Sequence, residues 1–259
     1  MRALQRTFFS ALTVVLLAVS QVACTSTRLP PYEATYTTKL RGIKIKGVRK
    51  FEPIGENSYR ISWTARALWM KLNEWSEFEI VDDKVRPISY HYTRKGLGTD
   101  RPIHVYFDWE NMQANGAKGK RKYEFALEPG VLDKLSYQVQ MQLDLLAQPE
   151  RPALIYKVAN YSGLRDYQFD FALRETIETR LGSRETLVYQ RDKKDSTIKL
   201  WIAPQQNYLP VKIEQLEDGD SNVVIIKSWE SKKILGNDQL TASNELENPE
   251  PLLDEDDDF

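Results

Sequence analysis

The side chains able to do chemistry are few: Cys24 is the one cysteine in 259 residues, and His91 and His104 are the two histidines. A metal centre needs three or four His, Cys or carboxylate ligands at suitable spacing, and none is offered here. Cys24 ends an apolar N-terminal run, outside any fold that could activate a thiol nucleophile. Neither a Gly-x-Ser-x-Gly elbow nor a phosphate-cradling glycine loop occurs. Ser136 follows Asp133 at the distance of a first helical turn, where an acid favours the helix N-terminus without doing catalysis. The sequence thus predicts no catalytic residue, metal or cofactor, and a function exerted through binding.

Two groups of residues suit binding. Arg94-Lys95-Gly96-Leu97-Gly98 to Arg101 and Lys118-Gly119-Lys120-Arg121-Lys122 read as basic turns, expected at opposite ends of the strands between them. Lys118, Lys120 and Arg121 are candidates for contact with phosphates of lipid or lipopolysaccharide; the plainer reading is solvated charge that guards strand edges. Trp63, Leu68, Trp69, Met70, Leu72 and Trp75 form an aromatic cluster of irregular spacing. Exposed, it would receive an acyl chain, a peptide or a membrane surface; buried, it would be a loop folded into the core. Trp69, Met70 and Trp75, with Leu135 and Val139 from a helical stretch further along the chain, are the candidate apolar surface.

The elements that position these residues are mostly strands. From Tyr32 onward apolar residues alternate with polar ones, as in Tyr32-Ala34-Tyr36, Tyr59-Ile61-Trp63 and Ile103-Val105-Phe107-Trp109. Ile88, Tyr90 and Tyr92 are expected on one face, with His91 and His104 opposite their apolar neighbours. Asp82-Asp83-Lys84, Asn115-Gly116, Leu181-Gly182, Asp192 to Asp195 and Asp218-Gly219-Asp220 read as turns. Between Gly130 and Pro149 the rhythm changes: Leu132, Leu135, Val139, Leu143 and Leu146 recur at steps of three and four. That spacing predicts a helix of about four turns with Asp133, Lys134, Gln138, Gln140 and Gln142 on its polar face. Ten to thirteen strands and one helix predict a mainly β fold. An antiparallel sheet curls into an open or spiral barrel-like structure, with one amphipathic helix in or over its concavity.

The N-terminus gives an address. Arg2 and Arg6 precede the apolar run Phe8 to Val19, which is too short to span a bilayer and has the form of an export signal. Cleavage before Cys24, in Gln21-Val22-Ala23-Cys24-Thr25, would leave a lipidated cysteine and an outer-membrane anchor. Cleavage after Ser20 would instead leave a soluble periplasmic protein with a free thiol. The expected organisation is a signal peptide over 1–23, a tether over 24–31, one β-rich domain over 32–235 and an acidic tail over 236–259. Loss of Arg2 and Arg6 with the leader, and of the eight acids in Glu245 to Phe259, turns the formal charge of −1 into +5 on the body. A positive body suits anionic headgroups, whereas nucleic acid is excluded by export and by the absence of a basic helix.

Several spaced pieces resemble one bacterial family. They are Tyr32-Glu33-Ala34-Thr35-Tyr36, Arg86-Pro87 with Tyr90, Tyr92 and Arg94, Phe107-Asp108-Trp109, and Asp133-x-Leu135-Ser136-x-Gln138. Thr179-x-Leu181-Gly182 follows, and the most specific piece is Trp201-x-Ala203-Pro204 with Tyr208-Leu209-Pro210-Val211-x-Ile213. Together they resemble the envelope family called domain of unknown function 3108, from Tyr32 to Trp229. The resemblance implies a sheet wound into a spiral or open barrel, and it carries over no catalytic residue. Lys44-Ile45-Lys46 departs from the small or apolar residues that relatives more often have there. The expected function is a non-enzymatic envelope interaction module that supports envelope integrity. The alternative is a half-barrel carrier of lipid or lipoprotein acyl chains.

Overall fold

A computed structural model of the protein describes residues 29–40, 42–67, 70–96, 102–217 and 219–231. The leader, Cys24, Leu68, Trp69, Arg101 and the acidic tail lie outside the described residues. The strands are β1 (Tyr32–Leu40), β2 (Ile43–Pro53), β3 (Ser58–Ala67), β4 (Met70–Val81), β5 (Lys84–Lys95), β6 (Ile103–Asp108), β7 (Gln113–Lys118) and β8 (Arg121–Ala126). After helix α1 (Ser136–Ala147) come β9 (Ala153–Asn160), β10 (Gly163–Thr179), β11 (Gly182–Lys193), β12 (Ser196–Ala203), β13 (Leu209–Glu217) and β14 (Asp220–Ser231).

All 14 strands form one antiparallel sheet, in which β8 down to β1 run in order, β1 pairs with β14, and β14 down to β9 complete the series. No ladder joins the edge strands β8 and β9, so the curled sheet is unclosed. Its two ends nevertheless touch. Lys118 Nζ lies 4.9 Å from the centre of the Tyr161 ring in the β9–β10 turn, and the Tyr123 ring packs edge-on against Tyr161 at 5.5 Å.

Local chemistry explains the turns. Asp82 and Asp83 have φ of 51° and 58°, the two positive values that a two-residue type I′ hairpin needs between β4 and β5. Asn115-Gly116, by contrast, is no turn: it lies inside β7, and the β6–β7 connection is Trp109 to Met112. The strand count is therefore higher than the alternation alone predicts. Ile88 is also misplaced by alternation. Glu77 pairs with Ser89 and Phe78 with Pro87, so Ile88 is the extra residue of a bulge, is 40% exposed, and does not share the face of Tyr90 and Tyr92.

The 17 residues of β10 read as two runs but form one strand. Its first part pairs with β9 as far as Asp170, and its second part pairs with the start of β11 as a ribbon extending past β12. Trp201 Nε1 donates to Glu175 Oε2 of that ribbon at 2.6 Å, which covers the indole to 5% exposure.

Candidate functional site

The concavity of the sheet is occupied. Helix α1 is shorter than the spacing predicts, 12 residues, and its supposed polar face is buried: Gln140 and Gln142 are 6% and 0% exposed, and Asp133, just before the helix, is 0%. These side chains serve the sheet. Gln140 Oε1 accepts the Val85 N–H at 2.8 Å, while its amide donates to Asp83 O at 3.0 Å, fastening the helix to the β4–β5 turn. Gln142 accepts the Tyr32 hydroxyl at 3.1 Å and donates to Asn207 O at 3.0 Å. Asn207 caps the end of the Pro204–Gln206 3-10 turn between β12 and β13, and Tyr36 donates to Pro210 O at 2.9 Å just beyond it. The most specific motif of the sequence is thus a latch holding helix, β1 and β13 together. The helix is apolar and polar by turns around its girth because every side of it meets protein.

The five candidate apolar residues do not form one surface. Leu135 and Val139 are sealed in the core at 4% and 0% exposure. Met70 and Trp75 are five residues apart in β4 and so point to opposite faces. Trp75 stacks on His91 at 4.6 Å on the outer face, where His91 pairs with His104 across the β5–β6 ladder. Burial and then the neighbouring His104 lower the pKa of His91. Trp69 lies outside the described residues. Among the described residues no group of three or more His, Cys, Asp or Glu converges to hold a metal ion.

A polar cluster lies between sheet and helix. Asp133 accepts the N–H groups of Leu135 at 2.8 Å and Ser136 at 2.9 Å, and the Ser76 hydroxyl at 2.6 Å, while Ser136 Oγ accepts the Asp133 N–H at 2.7 Å. This is a reciprocal cap on the start of α1. Arg49 is buried, donating from Nε to Tyr32 Oη and from Nη1 to Gln138 Oε1. Glu74 accepts the Tyr90 hydroxyl; burial raises its pKa, against the pull of that hydrogen bond and of Lys134.

A proton therefore binds Glu74 more tightly in the folded chain than in the unfolded one. The stability this confers is complete below the unfolded value of about 4.3 and is lost as pH rises through the folded value. Urea melts of Glu74→Gln are expected to match wild type near pH 4 and to exceed it at pH 7. A variant less stable than wild type at pH 7 would mean that Glu74 acts there mainly as a counter-charge.

Charge on the sheet is divided between its two ends. Asn115-Gly116 being internal, β7 adds one reversal of direction, and the β5–β6 and β7–β8 connections fall at the same end. Ile103 pairs with Lys118, and Gly119 N donates to Pro102 O at 2.9 Å. Lys118, Lys120 and Arg121 therefore lie at the same end of the sheet as Lys95, and the basic turns are not at opposite ends. Behind them runs a ladder across four strands: Lys46 pairs with Arg66, Arg66 with Lys71, and Lys71 with Lys95. All four side chains are exposed, and none forms an ion pair among the described residues. Like charges in direct cross-strand register destabilise a sheet, so this arrangement costs the fold stability and does not add to it.

Further along the same strands charges are matched, with Lys50–Glu33 at 2.8 Å, Arg60–Glu77 at 2.6 Å and Arg86–Glu79 at 3.6 Å. The far end carries Glu56, Asp82, Asp83 and Glu110 in its connections and Asp108 at the end of β6. One end of the β1–β8 half is thus basic and the other rich in acids. Lys46, Arg66 and Lys71 escape sequence reading because the ladder exists only in the register. The alternation Lys44-Ile45-Lys46 was the available signal: Ile45 is 7% exposed and both lysines are exposed.

A family model described as "Protein of unknown function (DUF3108)" matches residues 32–226. The chain belongs to this family. The DUF3108 match runs from the first residue of β1 into β14 and so includes both halves of the sheet, the helix and the latch. Among solved structures, the chain is similar to a crystal structure of a beta-barrel-like protein of domain of unknown function DUF1849 from Brucella abortus. The TM-score is 0.54 at 8% identity, covering 80% of this chain and 100% of that one. The likeness is one of fold. No curated protein matches the DUF3108 chain.

Proposed function

We propose that this protein is a non-enzymatic module of the bacterial cell envelope. In this reading the leader exports it, a lipid on Cys24 holds it at the outer membrane, and its basic end meets an anionic partner. The observation that carries the reading is the uncompensated ladder Lys46–Arg66–Lys71–Lys95, a cost to the fold that a partner's charge would offset. The alternative, a carrier of acyl chains, would need Leu135 and Val139 to line open space, and both are packed.

The tether adds a direction. Leu29, expected in the tether, is fully buried, so four residues separate Cys24 from the body, five steps along the chain and a reach of at most about 18 Å. The chain enters β1 at the acid-rich end. The basic end lies the length of β1 away, about 30 Å for nine residues. A lipid on Cys24 would thus hold the acid-rich end near the bilayer and leave the basic end to reach outward.

Cells fed a palmitate analogue are expected to label the wild-type chain and not Cys24→Ala, and the variant should leave the membrane fraction for the soluble periplasmic one. An unlabelled wild-type chain would end the lipoprotein reading. Native mass spectrometry is expected to give a mass without lipid beyond the anchor; a further co-purified lipid would favour the carrier.

A further inference from the structure

We infer that a cleft on the outer face of β1, β2, β3 and β14 binds a multiply charged phosphate group, carried as a phosphate monoester or a diphosphate. The inference rests on the reading of the protein as a binding module and gives the chemistry of the ligand. The cleft has a volume of about 330 Å³ and is lined by Thr37, Lys44, Lys46, Arg66, Ala67 and Lys227. Four of the six lining residues are cations, and none is an acid. Each cation is exposed, and none forms an ion pair among the described residues.

The backbone is bent to complete this set. Thr35 pairs with Ser228 and Tyr36 with Ile226, so Lys227 is the extra residue of a bulge in β14. Bulges re-aim side chains, and this one adds the Lys227 side chain to the wall of the cleft beside Thr37. Across β1 the depression continues into a second one of about 680 Å³, to which Lys39 and Lys44 contribute, together with Arg180 from the tip of the β10–β11 ribbon. Two separate parts of the chain, the bulge and the ribbon tip, therefore bring positive charge to the same stretch of β1.

The residue types choose the ligand. The Arg66 guanidinium offers a planar fork suited to two oxygens of one anion, the lysines supply point charges, and Thr37 offers a hydroxyl. A single carboxylate would answer one of four charges. A phosphate monoester carries between one and a half and two negative charges, roughly, with three acceptor oxygens, and a diphosphate carries more.

The test uses the purified protein with inorganic pyrophosphate, titrated calorimetrically at low ionic strength. Saturable binding at one site is expected. Lys46→Gln/Arg66→Gln should weaken it at least tenfold, and Lys120→Gln/Arg121→Gln, at the same end but outside the cleft, by less than threefold. Equal losses in the two double variants, or no saturable binding by wild type, would overturn the site. Both double variants relieve like-charge repulsion, so their melting temperatures should not fall, and Arg66→Lys should keep part of the affinity.

Vesicles containing phosphatidic acid, whose headgroup is a phosphate monoester, separate the sources. Vesicle binding that pyrophosphate displaces points to a lipid headgroup, and pyrophosphate binding without vesicle binding points to a free phosphorylated ligand; either outcome supports the site. Failure of the titration leaves the Cys24 labelling result standing, and failure of labelling leaves the cleft standing.

Discussion

Asp133→Ala is expected to lower the melting temperature by about 6–20 °C, the largest loss of stability expected from any single substitution in the helix cap. The carboxylate is fully buried and accepts three hydrogen bonds, from the N–H groups of Leu135 and Ser136 and from the hydroxyl of Ser76. Alanine leaves all three donors buried without a partner. At about 1–3 kcal/mol for each orphan, with some relaxation, the loss is about 3–5 kcal/mol, and each kcal/mol moves the midpoint of a domain this size by about 2–4 °C.

The hydrogen bonds, not the charge, supply that stability. Burial raises the Asp133 pKa despite these hydrogen bonds, so ionisation at neutral pH works against the fold. The sign follows: the contribution is complete below the unfolded value near 3.9 and declines as pH rises through the folded value. An asparagine at this position keeps a carbonyl oxygen for the two backbone donors and discards the buried charge. Asp133→Asn should therefore stay within about 1 kcal/mol of wild type at pH 7, on the scale of one ordinary hydrogen bond. If Asn proves as damaging as Ala in a urea melt, the charge itself holds the helix and the hydrogen bonds do not.

The same residue shows how far the sequence could be read. Asp133 and Ser136 were legible as a helix start, because the spacing alone gives the cap. That the cap is buried was not, because helical periodicity reports which residues share a side and not what that side meets. Gln140 and Gln142 fall on the polar stripe, yet their partners are backbone groups of Asp83, Val85 and Asn207, far apart in sequence. Strand alternation failed for a related reason at Ile88, where a bulge shifts the parity and no residue type announces it. Met70 and Trp75 were a missed opportunity: an odd separation within one strand already places them on opposite faces. The basic ladder lies beyond sequence reading, since it needs the register of four strands at once.

The most instructive misreading concerns Asn115-Gly116, and it leads to the second large effect. This dipeptide is a strong hairpin signal because both of its residues tolerate positive φ. Here the glycine answers a different demand. A Cβ on Gly116 would lie 2.1 Å from the carbonyl oxygen of Tyr161 and 2.8 Å from its carbonyl carbon. Tyr161 belongs to the β9–β10 turn, at the other end of the sheet, so Gly116 is where the backbones of the two ends meet.

Gly116→Ala must push the ends apart, because the obstacle is main chain and cannot rotate away. The expected loss is about 2–3 kcal/mol, the upper range for overpacking. Gly130→Ala is the control. Its φ of +78° makes alanine costly, about 1–2 kcal/mol, but nothing lies within 4 Å of the added Cβ. The two variants should therefore differ in place more than in size. Hydrogen exchange in Gly116→Ala should accelerate in β7, β8 and the β9–β10 turn, where Lys118 and Tyr123 lose the Tyr161 ring, while β2 to β4 keep their protection. Gly130→Ala should leave β7 and the β9–β10 turn unchanged. Uniform acceleration across the sheet in Gly116→Ala would mean that the ends are not a separable clasp and that the 14 strands open as one unit. Local acceleration would mean that the Gly116–Tyr161 contact clasps the two ends of the sheet separately from the helix that fills its concavity.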